Sequence, residues 1–289
     1  MIVLRTPALE LEVLPEVGGK VAQICHRESR TDVLIGPRRS YRAIPPDRPW
    51  VEYDTSGIDD CFPNVDQGPY PFEPWREVAL PQMGEWARGG WDVVAADSRA
   101  VTLERAGSVL PYLARKRIEL TDDSTLRLSY NVRNTGCDSF HYVWSAHPLI
   151  AVGETFSLRL PGQELRFVTF PHDGKTYRWP TYRAVDLSSE WLPRGKTLKA
   201  FAFGLSAGWC ELVAFGRTLR FEFDLTVNPI VGFWFNNYGF AGGGAEPFRC
   251  IAVEPCTSPT DVLHALPATT YPVLAPDACA DWSWSIGVG

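Results

Sequence analysis

Leu126-Arg-Leu-Ser-Tyr-Asn-Val-Arg133 alternates apolar and polar residues without a break. A period of two puts Leu126, Leu128, Tyr130 and Val132 on one face and Arg127, Ser129, Asn131 and Arg133 on the other, the pattern of a half-buried β-strand. The same alternation recurs at Leu9, Leu11 and Val13, and at Phe156, Leu158 and Leu160. It returns at Leu219, Phe221, Phe223 and Leu225, and finally at Trp282, Trp284, Ile286 and Val288. No window of a dozen residues carries apolar spacing at i, i+3, i+4 and i+7. The one helical signal is Ser258-Pro-Thr-Asp261 leading into Val262-Leu-His-Ala-Leu266, where a Ser cap, an early Pro and an early Asp predict a short helix. Pro/Gly-rich stretches at 36–50, 66–75 and 239–247 are expected to be surface loops, and none has the length or bias of an interdomain linker. The expectation is an all-β chain with very little helix, residues 1–289 forming a single domain of two large, mainly antiparallel sheets packed face to face.

Composition agrees with this. Gly and Pro, 24 each, make up about 17% of 289 residues, against an ordinary ~12%. That limits long helices, while a hydrophobic fraction of 45% supplies a core. Twenty-eight basic against 34 acidic residues give a net charge of −6, the wrong sign for neutralising phosphates along a nucleic acid. Residues 1–20 include Arg5, Glu10, Glu12 and Glu16, so no secretory signal is read there. The longest apolar stretch, 200–216, is interrupted by Glu211 and glycines, which argues against a membrane span. Seven cysteines without any Cys-x-x-Cys pair read as free thiols of a cytoplasmic protein. No two of the five histidines have zinc-motif spacing, so no metal is expected.

Eleven tryptophans suit either core packing or the apolar faces of sugars. Trp75, Trp86, Trp91 and Trp234 lie beside Gly/Pro-rich segments rather than mid-strand. His147, in His141-Tyr-Val-Trp-Ser-Ala-His-Pro148, is expected at a strand end, with Pro148 stopping the pairing. It is either a structural histidine or a proton donor into a cleft. Glu254 follows Ile251 and Val253 and is either a partner for backbone donors or a base tuned by burial. Asp59 and Asp60, and likewise Asn236, are either turn formers or binders of sugar hydroxyls.

Taken in order, these segments resemble the aldose 1-epimerase family of the galactose mutarotase-like superfamily over almost the whole chain. The matching stretches are Val13-Leu-Pro-Glu-Val-Gly-Gly19, Asp32-Val-Leu34, Gly57-Ile-Asp-Asp-Cys-Phe-Pro63, Leu80-Pro-Gln-Met-Gly84 through Arg88 to Trp91, and Arg117 through Asn134-Thr-Gly136. Trp144-Ser-Ala-His-Pro148, Trp234-Phe-Asn236 and Ile251-Ala-Val-Glu-Pro-Cys-Thr257 complete the set. The resemblance implies a β-supersandwich and interconversion of the α and β anomers of an aldose. It implies His147 as catalytic acid, Glu254 as base, and Asp59, Asp60, Arg88, Trp234 and Asn236 around the sugar, with no cofactor.

One position departs from the family pattern. Met83 stands where the family commonly has a second histidine that helps hold the sugar ring, so either a neighbour such as Arg88 or Asp60 takes over that contact, or a different sugar is recognised, or catalysis is weak. The ligand implied is a monosaccharide, an aldohexose, with a sugar phosphate as an alternative that Arg88 would serve. The rival function is a carbohydrate-binding or sugar-sensing protein without catalysis. A glycoside hydrolase or lyase would need a second carboxylate across the sugar, from Asp59 or Asp60.

Overall fold

The structure is a computed structural model that describes residues 1–45, 47–242 and 246–289. Among these residues are an 11-stranded and an 8-stranded sheet, and no α-helix. The larger sheet runs in the order Ile2–Arg5, Leu9–Leu14, Lys20–His26, Ile58–Cys61, Ser145–Ala151, Arg249–Cys256, Ile230–Asn237, Lys196–Phe203, Arg166–Phe170, Tyr177–Arg178, with Thr31–Asp32 beside Lys20–His26. The smaller runs Phe156–Arg159, Trp209–Ala214, Arg217–Phe223, Cys279–Val288, Thr125–Asn134, Tyr112–Leu120, Ala100–Ala106, Asp92–Ala96. Neighbouring strands are antiparallel.

All five alternating segments form strands, and their apolar positions within those strands are the buried ones, while Leu160 lies just past the end of Phe156–Arg159 and is half-buried. Leu225 falls outside its strand because Asp224 turns the chain by accepting bonds from the amide and hydroxyl of Thr226, each at 2.8 Å. Between the sheets, Trp144 packs on Tyr130 and Trp282 at centroid distances of 5.2 and 5.4 Å. Trp86 stacks on the same two rings. Trp86 and Trp91 are therefore core residues, and Trp75 packs against the core from a half-buried position.

Two local expectations are corrected. The short helix over 258–266 does not form, because its acceptors are engaged elsewhere. The carbonyl of Asp261 takes the amides of Val65 and Asp66 at 3.0 and 2.8 Å, and that of Val262 takes the Tyr271 hydroxyl at 3.0 Å. A helix needs those carbonyls for i→i+4 bonds; the only helical turns among the described residues are 3₁₀ turns at Trp50–Glu52 and Ala268–Thr270. Pro148 does not end its strand, which continues to Ala151. Proline lacks an amide and is tolerated where the ladder is open; pairing with Arg249–Cys256 is made at Ser145 and again from Leu149 to Ala151. His147 is thus mid-strand. Of the loop expected over 239–247, residues 243–245 lie outside the described residues.

Candidate active site

Four neighbouring strands of the larger sheet build the site on the face turned away from the smaller sheet. Ser145 lies opposite Cys256 and Leu149 opposite Ala252, a constant register that sets His147 across from Glu254. Glu254 is paired with Gly232, and Gly232 with Phe201. A Cβ on Gly232 would come to 3.3 Å from both Glu254 Cβ and the Phe201 ring, a tight approach that glycine avoids. Two residues along, on the same face, Trp234 lies between Ala252 and Lys199. Asp261 enters from the segment that follows, fixed by the bonds its carbonyl makes to the amides of Val65 and Asp66.

His147 Nε2 is 3.9 Å from Glu254 Oε1. The other carboxylate oxygen, Oε2, accepts the Ser145 hydroxyl at 3.1 Å and a short bond from Lys199 Nζ. Lys199 Nζ also lies 3.4 Å from Asp261 Oδ1. The imidazole sits between two tryptophans, with Trp50 edge-on and Trp234 tilted, each at 6.1 Å. These groups surround a cavity of about 240 Å³ whose lining includes Trp50, Asp66, Met83, His147, Lys199, Trp234 and Asp261.

Burial and charge set the protonation states. Burial pushes the His147 pKa below its usual value; the Glu254 carboxylate opposes that shift and Lys199 adds to it. Burial alone would lower the Lys199 pKa, but Asp261 and Glu254 more than reverse this, so the ammonium stays charged. Burial raises Asp261 to about 6, against the pull of Lys199. Of three buried polar atoms here, Glu254 Oε1 and His147 Nδ1 have no hydrogen-bond partner among the described residues, and Asp261 Oδ1 has only its ion-pair contact with Lys199 at 3.4 Å. Buried polar groups are normally satisfied, so this cluster marks a place for a polar ligand.

The residues expected from sequence separate into two groups. His147 and Trp234 line the cavity, and Glu254 lies beneath it with no exposed surface. The other four have structural partners. Asp59 pairs with Lys20 at 3.1 Å and accepts Trp50 Nε1 at 3.4 Å, bracing one wall. Asp60 points between the sheets, to Lys116 at 3.0 Å and the Tyr130 hydroxyl at 2.6 Å. Asn236 closes its own loop through the amides of Gly239 and Phe240 and the carbonyls of Phe240 and Phe248. Arg88 donates to the carbonyls of Pro45, Arg48 and Gln82.

Arg88 instead borders a larger cleft of about 610 Å³ that shares Gln82 with the smaller cavity. Its arginines serve mainly as loop braces: Arg105 likewise donates to the carbonyls of Glu85 and Arg88. The smaller cavity is the one with the chemistry. Met83 lines it, with Sδ 3.9 Å from Cys61 Sγ and a φ of 62° held by the tight turn into Gly84. A Cβ on Gly84 would lie 2.3 Å from the Phe62 carbonyl oxygen. Neither Arg88, which borders the larger cleft, nor Asp60, which faces Lys116 and Tyr130, lines the cavity in which Met83 lies.

Sequence reading missed Lys199 and Asp261. A lysine inside the apolar run Leu198–Phe203 was the available signal for the first. Asp261 was hidden by its fit to a helix start.

No protein-family model matches the sequence, and no curated protein matches it. Solved structures do. A galactose mutarotase-like protein from Lactobacillus casei is 16% identical with a TM-score of 0.72, over 100% of both chains. The GalM/aldose epimerase homologue from C. elegans is 12% identical with a TM-score of 0.68, over 100% of this chain and 98% of that one. The Slr1438 protein from Synechocystis is 14% identical with a TM-score of 0.75, over 100% and 95%. The two sheets, their antiparallel order and these full-length superpositions give the chain the galactose mutarotase-like fold.

Proposed function

We propose that the protein is an aldose 1-epimerase, with Glu254 as base and His147 as acid. The observation that carries this reading is the placement of a carboxylate and an imidazole on facing strands, 3.9 Å apart, below an aromatic-walled cavity. In this reading Glu254 Oε1, the oxygen with no hydrogen-bond partner among the described residues, takes the proton of the anomeric hydroxyl, which requires the bound sugar to open a path to a carboxylate that has no exposed surface here. The C1–O5 bond breaks as the carbonyl forms, and its electron pair goes to the ring oxygen, which takes a proton from protonated His147. Rotation about C1–C2 and reversal of both transfers give the other anomer. Each such proton transfer contributes ~10²–10⁴-fold. Asp66 and Asp261 line the cavity against a single cation, Lys199, which supports an uncharged aldose over a sugar phosphate. The reading takes residues 1–289 as one unit, supported by a hydrophobic core cluster that draws on both sheets.

The experiment is NMR exchange between anomers for a panel of aldoses, with wild type beside Glu254→Gln and His147→Asn. Loss of acceleration in both variants is the expected result; full activity in Glu254→Gln overturns the assignment. The second reading, a sugar-binding protein without catalysis, draws on Met83 in the cavity and on the ammonium that engages Glu254 Oε2. It predicts a sugar that binds without faster anomer exchange.

A further inference from the structure

The geometry points to Lys199 as a third catalytic residue, whose ammonium donates a hydrogen bond to the ring oxygen of the sugar and so makes the polar contact that Met83 cannot. The assignment rests on the aldose 1-epimerase reading above. Among the described residues lining the cavity, Lys199 is the one lysine or arginine. An ammonium has three protons to donate. One goes to Glu254 Oε2 and a second faces Asp261 Oδ1 at 3.4 Å. Beyond these two carboxylates the ammonium's printed partner is the Phe201 ring, 5.2 Å away at its centroid, a weak contact that a ring oxygen can displace, and the side chain borders the cavity in which Met83 also lies.

Three further features fit this role. Lys199 stands beside Trp234 in the sheet register, so a sugar stacked on that indole comes within its reach. The two carboxylates keep the ammonium charged and restrict its motion, so little reorganisation is needed when negative charge develops on the ring oxygen. Burial keeps His147 mainly neutral near pH 7, which leaves Lys199 as the cation already in place when the C1–O5 bond opens. No proton need leave Lys199: the ammonium stabilises the oxygen until His147 delivers its proton, and the balance of the reaction is unchanged.

The test combines anomer exchange with sugar titration of tryptophan fluorescence, Trp50 and Trp234 being the reporters. Lys199→Ala is expected to lower kcat about 100-fold, as loss of one preorganised donor does, and added methylammonium is expected to restore part of that rate. A structural lysine gives no such rescue. Lys199→Met with Asp261→Asn removes one charge of each sign, so that loss of the contact is separated from loss of the fold. Wild-type rates in that folded double variant, or Lys199→Ala activity unmoved by methylammonium, overturn the assignment. If wild type accelerates no aldose, the epimerase reading falls by itself. Fluorescence then decides the contact, with Asp261→Asn alone as the reference: sugar affinity in the folded double variant equal to that of Asp261→Asn overturns it, and binding at least tenfold weaker than that of Asp261→Asn supports it.

Discussion

Lys199 and Glu254 form an ion pair whose lysine borders the cavity while its carboxylate lies beneath, with no exposed surface. The pair ties chemistry to stability. Removing one partner from a buried pair leaves a charge uncompensated. Glu254→Gln is therefore expected to slow anomer exchange by ~10²-fold or more and also to lower the denaturation midpoint. Lys199 keeps Asp261 as a partner, so the variant should remain folded at 25 °C. Rates from NMR exchange and unfolding curves on the same preparations check both effects.

His147 sets one pH dependence. Its folded pKa is depressed by burial, so the protonated, donating form is the minor one at neutral pH. The rate is expected to rise as pH falls from 7.5 toward 6 and to level off only below the ordinary histidine range of about 6.5. His147→Asn should lose this slope. Because the folded state binds fewer protons than the unfolded chain in that range, acidification through it also costs stability.

Asp261 gives a second dependence of opposite sign. Its folded pKa is raised from 3.8 to about 6. The folded state binds more protons than the unfolded chain between those values, so this carboxyl's contribution to stability is present below the unfolded pKa and is lost as pH rises through about 6. Asp261→Asn should remove that part of the slope in denaturant unfolding measured from pH 4 to 7. The same substitution should abolish a step in sugar affinity near pH 6, read by tryptophan fluorescence.

Trp234 forms a wall of the cavity with one face toward His147. Trp234→Ala should weaken sugar binding by about 1–2 kcal/mol, roughly 5- to 30-fold, through loss of stacking area. A fluorescence titration with Trp50 as the remaining reporter, or calorimetry, checks it.

Asp60 tests the core. Its carboxylate joins Lys116 and Tyr130 across the two sheets and is fully enclosed. Asp60→Ala strands the Lys116 ammonium and is expected to cost about 3–5 kcal/mol of stability, measured by denaturant unfolding. A loss below about 1 kcal/mol would class the pair with surface bridges and contradict the enclosure.

The fold was legible wherever a strand has one wet face. Thr125–Asn134 and Cys279–Val288 declare themselves by alternation because one side of the smaller sheet faces water. The central strands of the larger sheet, such as Ser145–Ala151 and Arg249–Cys256, are buried on both faces and lose that signal. For the site, the resemblance pointed to His147, Glu254 and Trp234, and the structure brings those three together. The same resemblance implied Asp60, Asn236 and Arg88 around the sugar, and each of these bonds to a loop or to the core instead of lining the cavity. Lys199 and Asp261 stayed hidden because a lysine in an apolar strand and an aspartate after Ser-Pro-Thr each have an ordinary local explanation. Only the pairing of distant strands brings them to one point.

Asp59 and Asp60 are adjacent, yet their partners, Lys20 and Lys116, lie on opposite sides of one strand. Displacing Ile58–Cys61 by one residue in either direction would bring Ile58 or Cys61 to face one of these lysines and leave a buried ammonium without its carboxylate. The strand therefore carries its own proofreading: only one alignment discharges both lysines. Since that alignment also sets His147 opposite Asp59 and places Asp59 against Trp50, the position of the cavity wall is fixed as soon as the chain has found the correct pairing.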